Sequence, residues 1–541
     1  MPAKIILGPI LYIGRCDAAT WKMFVNLLVD GGDPTTPPVE ITSTDFQVGV
    51  PVVSSNFASE GLDEYVSWRW ELTAARQAQE QWSSYTMAPK AGLAVAGMNQ
   101  ALTISDVAVP PRGELPRSMF FSCNGFDDPK LLGRVGEQDA LWKRLQDLHL
   151  AGKIRPSLSS PGGCHLVIGG GDQVYADSLW MAKDCPLKKY GDDPLSADTA
   201  KIVTSTDAQK IIRSYINLYA ERWGRKDPAW VFARIPSIFT WDDHDIFDGW
   251  GSYDIDRQGC DVFRKAFRAA SLTFEAFQLG TSPQLGGAPS PHLRRAASHF
   301  MQTLNFDNAD QEVILVLLDA RNNRTLEQVL SDVQRSDLKA FLHELAAGDG
   351  SRHRHLIVIS SIPVVYMRFD SALRLLELIP GSQDLEDDLR DHWESRRHRD
   401  ERSKLIMNLL EAAHAAHCRV TILSGDVHIG ARGRITSTRP EHLPANAAET
   451  TIEQITSSGI EYPPPSWLEF ITVETSGTEA VDHIAPGVTT EVIPVSGRIK
   501  YLRDRNFLYI QPDLSGEEGR LWIKYYAEKT QIPEQITISS W

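Results

Sequence analysis

The sequence has little of what marks a disulfide-rich, membrane-spanning or nucleic-acid-binding protein. Its six cysteines are widely spaced and form no CxxC pair, so we predict reduced thiols rather than a disulfide framework. No apolar run reaches the roughly 18 residues that a membrane-spanning helix needs. The 70 acidic residues outnumber the 55 basic ones and give a net charge of −15, which argues against binding to nucleic acid or to an anionic membrane.

Cofactor and targeting motifs are also absent. Neither GxxxxGK(S/T) nor GxGxxG occurs in the sequence. The stretch that starts at Gly169 comes near the second pattern, but Val174 stands in place of its last glycine. We therefore predict no nucleotide cofactor, and no motif indicates haem or flavin. The N-terminal segment MPAKIILGPILYIGRC has no long apolar core, twin arginine or small-residue cleavage site, which predicts a cytoplasmic protein.

The 541 residues divide by pattern into a β-rich beginning and a longer α/β part. In residues 1–106, short alternating runs are typical of half-exposed antiparallel strands and predict an all-β sandwich domain. Residues 107–116 are predicted to form a Pro-rich linker. From residue 117 onwards, apolar runs alternate with helical stretches, which predicts a layered α/β core. Within this part, residues 365–402 are interpreted as a charged insertion and residues 440–541 as closing β segments.

The glycine-rich motif GGGDQVYAD places two potential metal ligands after a predicted strand. The glycines at 169–171 allow the backbone to turn tightly and leave room above the strand. Asp172 can bridge two cations with its two oxygens. Tyr175 can bind one of them as a phenolate if a trivalent ion lowers its pKa. The alternative is that Asp172 only caps the following helix.

The motif WDDHD is the most specific string in the chain. Adjacent Asp242 and Asp243 are costly to bury unless a cation or a donor compensates them. They directly follow an apolar run, so at least one is expected to meet a metal. His244 would then lie beside the metal, where an imidazolium could protonate a leaving oxygen. The alternative is an exposed acidic turn.

Three further motifs also follow predicted strands. In SGDVH, Asp426 and His428 are two residues apart, so on an extended segment they share a face and can bind the same ion. Cys123, in MFFSCNGF, is a candidate ligand in the company of these motifs, and the alternative is a small apolar filler. Arg321, in LLDARNNRT, could clamp a phosphate with its fork of donors or pair with a neighbouring carboxylate.

Together, GGGDQVYAD, WDDHD, LLDARNNRT and SGDVH resemble the alkaline phosphatase D (PhoD-like) family, a branch of the calcineurin-like metallophosphoesterases. The resemblance runs from about residue 120 to residue 458. It implies a four-layer α/β/β/α catalytic core in residues 117–541, preceded by the N-terminal β domain. It also implies a multinuclear metal site that hydrolyses phosphate esters.

The metal ligands implied by this resemblance fall into a ferric set and a calcium set. The ferric set is Cys123, Asp172 and Tyr175. The calcium set is Asp243, Asp426 and His428, to which Asp172 also bridges. One iron and one or two calcium ions would be bound, with Zn²⁺ and Mn²⁺ as the other metals considered, and His244 would protonate the leaving group.

The function hypothesis is hydrolysis of a phosphate monoester or diester by a metal-activated water. The expected partner is a small phosphorylated substrate, with His244 as the acid and Arg321 steadying the phosphoryl group. One alternative is a non-catalytic phosphate- or metal-binding protein on the same scaffold. The others are a metal-dependent hydrolase of a non-phosphate bond and a haem or flavin oxidase.

Overall fold

A computed structural model shows where these segments lie in the folded chain. The structure describes residues 2–154, 162–294, 298–348, 352–366, 393, 395, 397–466, 481–497, 499–513, 515, 517 and 519–541. Most of the predicted charged insertion, namely residues 367–392, 394 and 396, lies outside the described residues. Within the described ranges, no helix combines the length and apolar character needed to pass through a bilayer.

The strands are numbered in chain order. They are β1 (Ala3–Ile13), β2 (Thr20–Asp30), β3 (Val39–Thr42), β4 (Gln47–Val48), β5 (Val52–Asn56), β6 (Tyr65–Ala75), β7 (Gln81–Pro89), β8 (Val95–Ala96), β9 (Leu102–Val109), β10 (Ser118–Phe121), β11 (Leu166–Gly170), β12 (Ser237–Thr240), β13 (Gln302–Asp307), β14 (Gln311–Leu317), β15 (His353–Ile359), β16 (Cys418–Ser424), β17 (Ala431–Ser437), β18 (Thr450–Thr456), β19 (Asp482–Ala485), β20 (Val488–Ile493), β21 (Asn506–Pro512), β22 (Leu521–Ala527) and β23 (Glu534–Ile538). The α-helices are α1 (Ala140–Ile154), α2 (Ser178–Met181), α3 (Ser205–Trp223), α4 (Lys226–Phe232), α5 (Ile255–Gln258), α6 (Asp261–Thr273), α7 (Asp332–Ala346) and α8 (Arg399–Ala415).

Two large sheets carry the fold. The first has the strand order β23-β22-β21-β10-β11-β12-β1-β2-β6-β4, with β5 paired to β6 and β8 paired to β1. The second has the order β13-β14-β15-β16-β18-β17-β20-β19. The central strands are parallel, β10-β11-β12 in the first sheet and β14-β15-β16-β18 in the second. Their carboxyl ends therefore gather at one edge of each sheet, which is where open α/β sheets build their sites.

The two sheets pack face to face between helices, which confirms the predicted four-layer α/β/β/α core. Alternate residues of β10 show this arrangement, because Phe120 packs between the sheets while Met119 and Phe121 pack against the helices of the first outer layer. Leu356 and Val358 of β15 pack under α7 and α8 in the other outer layer. Burying side chains of this size contributes roughly 1.5–3 kcal/mol each, so these three apolar cores hold the sheets against each other.

The N-terminal region is β-rich, as predicted. Strands β3, β7 and β9 form a separate three-stranded sheet. Its Ile41 and Met87 share a core with Trp21 and Val25 of β2, so two sheets face each other as in a sandwich. One of these sheets continues into the α/β core, because β1 pairs with β12 in parallel. The domain division at residue 106 and the linker over 107–116 stay predictions, and β9 extends to Val109.

The C-terminal segment adds strands to both sheets. Strands β21, β22 and β23 extend the first sheet beyond β10, and β18, β19 and β20 belong to the second. The end of the chain thus closes the layered core on both sides.

Candidate metal centre

The predicted ligands come together where the carboxyl ends of the parallel strands meet. Cys123 follows β10, Asp172 follows β11 and Asp243 follows β12 in the first sheet. Asp426 and His428 follow β16 in the second. Loops from both sheets therefore contribute to one site.

Four carboxylates form the centre of this site. One oxygen from each of Asp172, Asp242, Asp243 and Asp426 lies within 4.8 Å of the others. Asp242 and Asp243 are 0% and 3% exposed, which excludes the exposed acidic turn considered for them. Like charges this close repel one another strongly unless a cation or a proton lies among them.

Burial opposes ionisation of these carboxylates when no cation is near. It raises the pKa of Asp172 well above its usual value, and the charges of Asp242 and Asp243 raise it further. For Asp242, burial with repulsion from Asp243 and Asp426 outweighs the Arg321 guanidinium, so its pKa is also raised well above the usual value. A cation among them would reverse this effect, because positive charge stabilises the carboxylate form.

Several buried polar atoms of the site have no hydrogen-bond partner among the residues that the structure describes. These atoms are Asp172 Oδ1, Tyr175 Oη, Asp242 Oδ2 and His428 Nδ1. A buried polar atom left unpaired costs about 1–3 kcal/mol, and oxygen and imidazole nitrogen are atoms that bind metal ions. Asp172 accepts no helix N–H within the described ranges, so the capping alternative does not hold. The residues present fit a metal cofactor.

The backbone is strained at five of the six predicted metal ligands. Their φ angles are positive: Cys123 (53°), Asp172 (55°), Tyr175 (54°), Asp426 (71°) and His428 (54°). Non-glycine residues seldom adopt this left-handed conformation, which costs about 1–2 kcal/mol per residue. Gly171, with φ of 114°, leaves the space that the site needs, since a Cβ there would lie 2.8 Å from Cβ of Asp242.

Cys123 lies beside Asp172, with Sγ 3.5 Å from Oδ2. Burial raises the pKa of the Cys123 thiol well above its usual value, and the nearby charge of Asp172 raises it further. This contact argues against the role of an apolar filler, because an apolar side chain gains nothing from packing against a carboxylate oxygen. The position is that of a residue able to share an ion with Asp172, because a metal holds a coordinating thiol as the thiolate.

Four aromatic rings stack in a column beside the carboxylates. Tyr175 stacks on His244 with centroids 4.5 Å apart and on Tyr462 at 5.4 Å. Tyr462 in turn stacks on His428 at 3.7 Å. The column thus joins Tyr175 and His428 through Tyr462, a residue that the sequence analysis missed. Its position shortly after β18, a parallel strand of the same edge, is the signal that could have found it.

His244 is held in place by Asp177, the last residue of GGGDQVYAD. Nδ1 of His244 lies 2.8 Å from Oδ2 of Asp177, and Asp177 Oδ1 accepts the backbone N–H of Asp248 at 2.7 Å. Burial alone would lower the pKa of His244, but the carboxylates of Asp177 and Asp243 outweigh it and raise that pKa well above its usual value. This direction favours the imidazolium, the form that can donate a proton.

Arg321 makes the contact that was one of its two predicted alternatives, pairing with neighbouring carboxylates. Its side chain is fully buried, and its guanidinium donates to Asp242 Oδ1, to Asp243 Oδ1 at 3.2 Å and to Trp250 O at 3.2 Å. Because Nε, Nη1 and Nη2 each donate to one of these acceptors, Arg321 has a positioning role, and its binding of a phosphoryl group stays a prediction. Arg321 orients the two carboxylates of WDDHD.

Asp245 ties the two most distinctive loops together. Its Oδ1 accepts the N–H of Gln173 at 2.7 Å, and its Oδ2 accepts the N–H of Asp242 at 3.0 Å. Burial raises the pKa of Asp245 to about 7. Asp245, the last residue of WDDHD, therefore has a structural role, because both of its carboxylate oxygens accept backbone N–H groups.

Comparisons with known proteins identify a family and a relative that this chain resembles. A family model described as "PhoD related phosphatase" matches residues 132–383 and 375–475. The uncharacterized protein YGR266W of Saccharomyces cerevisiae is 27% identical over 387 residues, which cover 60% of this chain and 51% of that protein. The match thus spans about half the length of this relative.

Two solved structures resemble the fold. One is described as the structure of PhoD and has a TM-score of 0.50 at 13% identity, covering 98% of this chain and 88% of that one. The other is purple acid phosphatase PPD1 from seeds of yellow lupin (Lupinus luteus), with a TM-score of 0.47 at 12% identity and coverages of 99% and 74%.

Proposed function

This chain belongs to the family of PhoD-related phosphatases, and on that premise we propose that it hydrolyses phosphate esters at the centre formed by Asp172, Asp242, Asp243 and Asp426. The substrate class is a small phosphorylated molecule, as a monoester or a diester. The observation that carries the proposal is the set of four carboxylate oxygens within 4.8 Å of one another, three of them on buried residues.

The ligands would divide between two kinds of ion. Asp172, Cys123 and Tyr175 would hold a ferric ion, and Asp243, Asp426 and His428 would hold calcium, with zinc and manganese as the alternative metals. When bound, the ions supply Lewis acidity that neutralises phosphoryl charge and activates water. Support for the ferric set is the contact of Cys123 with Asp172 and the unpaired phenol oxygen of Tyr175 among the described residues.

His244 supplies the proton for the leaving oxygen. Asp177 fixes Nδ1, which leaves Nε2 as the atom that faces the leaving group, and no described residue is hydrogen-bonded to Nε2. Asp177 thus orients the ring and stabilises the imidazolium, while Arg321 and Asp245 hold the carboxylates on which the site depends. A protein that only binds metal or phosphate would have no need of this acid.

The test is the dependence of hydrolysis on the leaving group in wild type and in His244→Gln, each loaded with iron and calcium. We expect the variant to lose at least 100-fold in kcat/KM for propyl phosphate but less than tenfold for 4-nitrophenyl phosphate, because 4-nitrophenolate leaves without protonation. Metal content, measured on both proteins, must be equal for the comparison to count. An absence of hydrolysis of both esters by metal-replete wild type would favour the non-catalytic alternative, and faster hydrolysis of 4-nitrophenyl acetate would favour the non-phosphate hydrolase.

A further inference from the structure

We propose that the cavity lined by Phe126, Ser178 and Arg222 receives the leaving group of the substrate, and that Arg222 binds a second anionic group carried on this leaving group. This proposal rests on the proposed function, because a leaving group exists only where an ester is cleaved. The substrates it selects are phosphate esters with another phosphate or a carboxylate on the alcohol.

The cavity has a volume of about 470 Å³, which is within the range of small-molecule sites. Phe126, from the loop that carries Cys123, lines one part of it, and Ser178, next to Asp177, lines another. The ring of Phe126 packs against Tyr462 at 6.5 Å. Two lining residues thus adjoin elements of the site, because Phe126 contacts Tyr462 and Ser178 directly follows Asp177 in the chain.

Arg222 is the unusual residue of this cavity. It lies in the last turn of α3 and lines the cavity, and its buried Nε has no hydrogen-bond partner in the described part of the chain. Over the same ranges, no carboxylate forms an ion pair with its guanidinium. Arg225, in contrast, lines the same cavity but donates to Glu461, with Nη1 2.9 Å from Oε2.

Within the described ranges, the carboxylates near Arg222 act on its charge without forming an ion pair with it. Burial lowers its pKa from the usual value, while the charges of Glu221, Glu461 and Asp177 act on it from a distance in the opposite direction. Glu461 is already engaged by Arg225, and Glu221 is exposed to solvent. A partly desolvated cation without a bonded anion is costly. An anionic group on the ligand would supply the partner that the Arg222 guanidinium lacks among the described residues.

The planar fork of an arginine matches a phosphate or a carboxylate with two parallel hydrogen bonds. An uncharged leaving group would leave Arg222 without a bonded partner and would be bound less tightly. The cavity thus distinguishes esters by the charge of the alcohol rather than by its size alone.

The experiment uses probes that cannot be hydrolysed, with affinity for the metal-loaded protein measured by calorimetric titration. Wild type should bind propane-1,3-bisphosphonate at least tenfold more tightly than propylphosphonate. Arg222→Gln should bring this ratio close to one. Arg264→Gln, which removes an exposed arginine of α6 that pairs with Asp261, should keep the wild-type ratio. A second phosphonate that merely chelates the metal would raise affinity equally in all three proteins, so the change in the ratio is decisive.

A third probe, 4-phosphonobutanoate, separates a carboxylate source from a phosphate source. The assignment of Arg222 is overturned if wild type binds both charged probes no more tightly than propylphosphonate. It is also overturned if Arg222→Gln keeps the wild-type preference for the charged probes. Hydrolysis of propyl phosphate together with that result would leave the proposed function standing without this pocket. An Arg222-dependent ratio in a protein that hydrolyses no ester would refute the leaving-group assignment.

Discussion

The imidazole of His428 lies flat on the phenol ring of Tyr462, with centroids 3.7 Å apart and planes 13° apart. His428 follows β16 and Tyr462 follows β18, so this contact fixes one loop of the second sheet against the next. Because Tyr462 also stacks on Tyr175, one side chain contacts predicted ligands from both sheets and sets their orientation.

Removing the ring of Tyr462 should therefore weaken metal binding. We expect Tyr462→Ala to lose 10- to 100-fold in metal affinity, as is usual when a group that orients a ligand is removed. Tyr462→Phe keeps the ring and serves as the control, with affinity close to that of wild type. Competition with a chelator of known affinity provides the measurement, and equal retention of metal by Tyr462→Ala and wild type would contradict the role given to the stack.

Replacing Tyr175 should change the colour of the protein. If Tyr175 binds iron(III) as a phenolate, the purified protein should be purple or brown from phenolate-to-metal charge transfer. Tyr175→Phe keeps the stacking ring but removes the unpaired oxygen, so the visible band should disappear. Absorption spectra with iron analysis decide the matter, since an iron-replete wild type without such a band would reject Tyr175 as a ligand.

Asp172→Asn should have opposite consequences in the metal-free and metal-loaded protein. Burial and neighbouring charges oppose the Asp172 carboxylate, so the metal-free variant should melt no lower than metal-free wild type. The metal-loaded variant should melt lower than loaded wild type and lose at least 100-fold in kcat/KM, equivalent to ~2.7 kcal/mol. Melting curves of both forms test this, with exposed Asp63→Asn as the matched control. A variant with wild-type rates would remove Asp172 from the site.

Asp177→Asn should act through His244 rather than on the substrate. The amide can still accept or donate a hydrogen bond near Nδ1 but no longer stabilises the imidazolium. We expect a 10- to 100-fold loss in kcat for propyl phosphate and a smaller loss for 4-nitrophenyl phosphate, with KM little changed. A purely structural role would lower both rates equally, so the steepness of the leaving-group dependence distinguishes the two.

Two buried histidines far from the centre should make stability depend on pH. Burial lowers the pKa of His292 to about 4 and that of His355 to about 4, whereas unfolding returns them to about 6.5. Since the unfolded chain binds these protons first, the free energy of unfolding should fall as pH drops from about 6.5 to about 4, by up to ~3 kcal/mol per histidine. Denaturant titrations at several pH values should show a shallower fall for His355→Gln and an unchanged one for exposed His343→Gln. A fall of equal steepness in both variants would contradict this account.

The fold was largely predictable because its signals are local. The alternation of apolar runs and helical stretches beyond residue 117 predicted a layered α/β core, and the structure has strands such as β11 and β16 and helices such as α3 and α8 in this part. Apolar runs ending in GGGD, WDDHD and SGD marked β11, β12 and β16 together with the loops that follow them. The continuity of β1 with the core sheet escaped prediction, because pairing between strands more than 200 residues apart leaves no local pattern.

The sequence by itself determined which residue types stand at the ends of the central strands, since strand periodicity and the cost of burying adjacent carboxylates can be read from short segments. Only the tertiary structure decided that Arg321 bonds to Asp242 and Asp243, that Asp177 holds His244 and that Tyr462 lies between Tyr175 and His428. These contacts depend on how two sheets pack and on positive φ angles in five loop residues. Both are set by the whole fold, because no short segment would adopt the strained conformation without its neighbours.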